Sequence, residues 1–118
     1  MRLITLFVLF INILLADEAS YNRGEMLFFA KSCSSCHGPS AEGSTSYPRL
    51  ANKKSAYLEK KLKDFRAGKA QSVSQQMMAQ FVEELSDKNI NDLVYFLSHH
   101  KGEKIEDMND AYLGGVGS

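Results

Sequence analysis

A chain of 118 residues is one domain's worth of protein, with room for only a modest core. Its 14 basic and 14 acidic side chains balance to zero, which gives no electrostatic reason for a nucleic-acid role. Both of its 2 cysteines fall in one five-residue run, so no disulfide framework is available to organise the fold.

Arg2 followed by the apolar run Leu3 to Leu15 and ending at Ala16 reads as a secretory signal peptide over residues 1–16. Ala16 suits a cleavage site, although Leu14 two positions earlier is larger than the small residue preferred there. Thr5 and Asn12 interrupt a run that is already short for a membrane span. An uncleaved N-terminal anchor is the alternative. No cysteine ends the run, so lipidation there is not supported. Cleavage would leave about 100 residues, with a domain expected over 17–100.

The first helix of that domain is expected from Tyr21 to Ser32, with an apolar face of Met26, Leu27, Phe29 and Ala30. Gly24 costs roughly 1 kcal/mol against Ala in a helix, which suggests close approach of another helix. Met26 could ligate a metal but fits the apolar periodicity and is read as core.

The helix runs into Cys33-Ser34-Ser35-Cys36-His37, the C-x-x-C-H signature of c-type haem attachment. Two thiols one short turn apart can add to the two vinyl groups on one porphyrin edge, and the adjacent histidine can then ligate the iron. A structural zinc site would need four N/S ligands, and beyond these three only His99 and His100 remain. A thioredoxin-like pair would end a strand of a βαβ unit, and no such pattern flanks the motif. A plain disulfide would leave His37 without a role.

From Gly38 to Tyr47 the chain gathers Gly, Pro and Ser and reads as a surface loop, rigidified by Pro48. Arg49, Lys53 and Lys54 could pair with haem propionates or simply be solvated charge. Ser55 is the expected N-cap of a helix with Tyr57, Leu58, Leu62 and Phe65 on one face and a terminator at Gly68. The opposite face is basic: Lys60, Lys61, Lys63, Arg66 and Lys69. A polar stretch, Ala70 to Gln76, leads to Met77 and Met78. Ser86 caps the last predicted helix, where Ile90, Leu93, Val94 and Leu97 follow the helical period. Acidic residues gather at and beyond it, and 101–118 read as a flexible acidic, Gly-rich extension.

These residues together resemble the class I cytochromes c, particularly the small single-haem periplasmic carriers of bacteria. The resemblance runs from Tyr21 to His100. It rests on Gly24, Cys33-x-x-Cys36-His37-Gly38, Pro48-x-Leu50-Ala51, Tyr57, Leu62, Phe65, Gly68, and Met78 seven residues before Leu85-Ser86. It implies an all-α class I fold, three to four helices around one covalently bound haem c, with the first and last helices crossing near Gly24 and Phe96. It further implies that Cys33 and Cys36 attach the haem, that His37 and Met78 ligate its iron, with Met77 the alternative to Met78, and that the Pro48 carbonyl orients the His37 ring. Asn52-Lys53 stands where the family often has Gly-Gln; Asn tolerates the left-handed turn that Gly would make.

A thioether ligand raises the reduction potential and closes the iron to other ligands, which suits a single-electron carrier. No catalytic residues are expected. The expected partners are donor and acceptor redox proteins, membrane-bound respiratory complexes or periplasmic enzymes, meeting a monomer in the periplasm. A haem enzyme or sensor with a labile methionine, and a subunit of a larger redox complex, are the alternatives. The basic middle helix and acidic C-terminal part predict a dipole that could steer docking.

Overall fold

The computed structural model describes residues 1–102, so Met108 and the acidic residues from Glu103 onward lie outside the described residues. Five helices occur among them and no strand: α1 Arg2–Ala30, α2 Ser34–His37, α3 Ser55–Arg66, α4 Val73–Val82 and α5 Asp87–His99. The all-α expectation holds, with one helix more than the three to four expected.

Helix α1 starts at Arg2 and not near Tyr21. Neither Gly nor Pro occurs between Arg2 and Arg23, so nothing breaks the helix between the apolar run and the domain. Every residue from Met1 to Glu18 is exposed, and packing begins only at Ala19. By length and composition this helix could cross a membrane; a signal sequence has the same character.

The helix ends in a Schellman motif. Ser32 takes a left-handed φ of 62°, Cys33 N donates to Phe28 O (3.0 Å) and Ser32 N to Phe29 O (3.1 Å). That closure delivers the chain directly into the C-x-x-C-H run.

Helix α1 packs chiefly on α5. At their crossing, a Cβ on Gly24 would stand 2.0 Å from the Asp92 carbonyl oxygen and 2.6 Å from Phe96 Cβ, so only glycine fits. Phe28 and Phe96 meet there with ring centroids 5.7 Å apart, and Tyr21 lies edge-on to Phe96 at 5.0 Å. Burying each large side chain contributes roughly 1.5–3 kcal/mol. Beside them Arg23 donates to both carboxylate oxygens of the buried Asp92, Nε to Oδ2 at 2.9 Å and Nη2 to Oδ1 at 3.3 Å. Asp92 is thus a paired interior group.

The N-cap of α3 is Lys54, one residue before the expected Ser55, and it has no side-chain cap bond. Its C-terminus closes on Gly68 as expected: φ is 79°, Lys69 N donates to Asp64 O (2.9 Å) and Gly68 N to Phe65 O (3.0 Å). Helix α4 begins within the polar stretch Ala70 to Gln76. Ser72 Oγ accepts from Gln75 N at 3.2 Å, and the Gln75 side chain accepts from Gln71 N at 2.8 Å, which satisfies two otherwise free donors. Ser86 and Asn89 form a reciprocal capping box at the start of α5. Arg66 closes the bundle, donating to Leu85 O (3.0 Å) and pairing with Asp87 (2.7 Å), so α3 holds the α4–α5 junction.

Candidate haem site

Helix α2 is a single turn, and its bonds explain why the motif is compact. His37 N donates to Cys33 O at 3.0 Å and Gly38 N to Ser34 O at 3.0 Å, so Cys33 and Cys36 stand three residues apart on one turn. Both thiols are free and half-buried. Burial pushes the Cys33 thiol above its ordinary value.

His37 is 6% exposed. Its Nδ1 lies 2.8 Å from the Pro48 carbonyl oxygen. A carbonyl only accepts, so Nδ1 must be the protonated nitrogen, and Nε2 keeps its lone pair free for a metal. The Tyr47 ring stands edge-on to the imidazole at 6.3 Å. The loop folds tightly back on the motif: Gly43 N donates to His37 O at 2.7 Å, and Leu50 N and Ala51 N both donate to Ala41 O. Glu42, the only acid between Glu25 and Glu59, accepts from Ser40 N at 2.8 Å. Asn52 takes φ 58°, the left-handed conformation expected of it, and its N–H donates to Leu97 O at 2.8 Å.

Arg49 makes two backbone contacts within the fold. Its Nη2 donates to Lys101 O (2.9 Å) and its Nε to Ala51 O (3.3 Å), so it fastens the end of the domain to the proximal loop. Lys53 and Lys54 are exposed. The anchors made by Arg23, Arg49 and Arg66 have no signature in sequence, because each joins residues that periodicity leaves unrelated.

The methionines separate clearly. Met78 is half-buried and packs against the core, whereas Met77 is 57% exposed. Met26, expected in the core, is 71% exposed on α1, because Phe28 takes the side facing α5. His100 accepts or donates at Tyr21 OH (3.1 Å) and His99 bonds the Tyr95 carbonyl (2.8 Å). Among the described residues no group of three or more His, Cys, Asp or Glu side chains is placed to hold a metal ion. Two free thiols on one turn, an imidazole with its Nε2 open and a half-buried thioether form a donor set that fits a c-type haem.

A family model described as Cytochrome c matches residues 21–101 of the chain. Cytochrome c4 of Azotobacter vinelandii is 36% identical over 78 residues, which make up 64% of this chain and 37% of that protein. The match therefore spans little more than a third of the length of this curated relative.

Proposed function

The chain belongs to the cytochrome c family, and from that premise we propose that it is an exported single-electron carrier with His37 and Met78 as its iron ligands. Family membership brings one covalently bound c-type haem and electron transfer in place of catalysis. When bound, the haem iron supplies the one-electron couple.

The protein's own contribution is attachment, orientation and exclusion. Cys33 and Cys36 give the two thioether sulfurs. The observation that carries the reading is the 2.8 Å contact between His37 Nδ1 and Pro48 O, which holds the ring in one tautomer with Nε2 available. Met78 offers a soft sulfur from α4. A thioether that stayed bound in both oxidation states would keep rearrangement small and would exclude outside ligands.

Export rests on the apolar start of α1, exposed throughout. Removal of residues 1–16 would place Asp17 and Glu18 in the first turn of the mature helix, where negative charge meets the helix dipole favourably. The partners are then periplasmic or membrane-bound redox proteins, met by a monomer.

The test uses protein made in cells able to mature cytochromes c. Haem should remain with the polypeptide through denaturation and acid–organic extraction. Met78→Ala should lose the weak far-red sulfur-to-iron band of the oxidised protein, lower the reduction potential and admit carbon monoxide. Met77→Ala should keep the band. Haem released by extraction, or a band lost on changing Met77 and kept on changing Met78, would overturn the assignment. Carbon monoxide binding by the native reduced protein would favour an enzyme or sensor.

A further inference from the structure

Glu42 belongs to the loop that follows His37, and that loop is wound tightly onto the motif. Ala41 N donates to Gly38 O at 3.0 Å, Gly43 N to His37 O at 2.7 Å and Ser40 N to Glu42 Oε2 at 2.8 Å. Ala41 is fully buried with φ 54°, and Ser40 is nearly so. The winding brings the Glu42 carboxylate against the backbone of Gly38, the residue directly after His37. A Cβ on Gly38 would collide with the carboxyl carbon and stand 2.5 Å from each carboxylate oxygen. The acid thus fills the space that any side chain at Gly38 would need.

No cation cancels the charge placed there. Glu42 is half-buried, and among the described residues no Lys, Arg or His side chain pairs with it. The Ser40 N–H fixes the carboxylate in position and leaves it negative. A charge partly withdrawn from water acts on its surroundings more strongly than one in bulk solvent. Oxidised haem iron carries one more positive charge than reduced iron. A fixed carboxylate nearby therefore favours the oxidised form and lowers the reduction potential, opposite to the effect of a thioether ligand.

We propose that Glu42 sets the redox poise of this protein: its carboxylate, pinned against Gly38, holds the haem below the reduction potential that the iron ligands alone would give. The inference rests on the reading of His37 as an iron ligand, which puts the carboxylate beside the ligand-bearing turn. The effect is that of a charge acting through space, so it follows the charge and not the shape of the side chain.

The experiment is a spectroelectrochemical titration of the haem-loaded protein and its variants at neutral pH. Glu42→Gln keeps the length of the side chain and an oxygen for Ser40 N while removing the charge. Its reduced-to-oxidised ratio at a given applied potential should rise by about tenfold, equivalent to about 59 mV, with the far-red band of the oxidised protein intact. Glu42→Asp, which keeps the charge on a shorter arm, should stay near the parent's potential. Glu59→Gln removes an acid of α3 that pairs with Lys63, and it should leave the potential in place. An unchanged potential in Glu42→Gln overturns the proposal and leaves the His37 reading standing. So does an equal rise in Glu42→Asp, which would trace the effect to loop geometry, or in Glu59→Gln, which would trace it to net charge. Loss of the far-red band in Glu42→Gln overturns it as well, since the distal ligand would then account for the shift. His37→Ala tests the premise separately: a haem spectrum unaltered by that change overturns the His37 reading and the inference with it.

Discussion

Ser32, like Ala41 and Asn52, holds a left-handed backbone conformation near the site. A side chain in the left-handed region costs roughly 1–2 kcal/mol relative to the right-handed one, and Ser32 sits there at φ 62° as the residue that closes α1. The position immediately precedes Cys33, so the conformation is imposed by the need to turn the helix directly into the thiol-bearing turn. Gly would adopt it freely, at some entropic cost in the unfolded chain. Ser32→Gly should therefore raise stability by about 1 kcal/mol. Denaturant titration of the haem-loaded protein checks this, and a loss of stability would mean that the Ser32 side chain contributes more than its backbone costs. Gly24 is the opposite case: its surroundings, not its φ, demand glycine, because the Asp92 carbonyl occupies the space of a Cβ.

At the scale of elements, the α3–α4–α5 corner depends on one arginine. Arg66 bonds the Leu85 carbonyl and the Asp87 carboxylate, and Asp87 also opens α5, where the helix dipole favours its charge. The hydrogen bond to Arg66, then its charge, hold the Asp87 carboxyl below the ordinary carboxylate range. A depressed folded-state pKa adds stability above the unfolded value, about 4, and that stability is lost as pH falls through the depressed value. Asp87→Asn should flatten the acid limb of the stability–pH curve and leave Arg66 bound to Leu85. Stability measured from neutral pH into the acid range checks it; an acid limb identical to that of the parent would show that Asp87 adds nothing. The effect is small, because Asp87 is well exposed and screened.

Across the whole molecule, what could be read from sequence was what local chemistry encodes. The C-x-x-C-H run, the Ser86 cap, the Gly68 terminator and the tight place at Gly24 each follow from residue type and spacing. The extent of α1, the helix over Val73–Val82 and the exposure of Met26 did not follow, since they depend on which face finds a partner. Several cations of α3 and both acids of α5 pair within the fold, while the acids from Glu103 onward lie outside the described residues. The long α1 raises the question of what its first half adds to the domain. No residue before Gly24 in α1 is buried, and none before Ala19 is even partly so. Its helical bonds are local, and an isolated exposed helix gains little from propensity alone. Residues 1–16 should then contribute nothing to the stability of the domain that holds the haem site. A chain beginning at Asp17 should unfold at the same denaturant midpoint, with the same slope, as the full-length chain in detergent, and its visible spectrum should be unchanged. A mature protein whose measured mass starts at Asp17 would agree with that independence. A midpoint that falls on truncation would instead show that the apolar half of α1 packs against the domain.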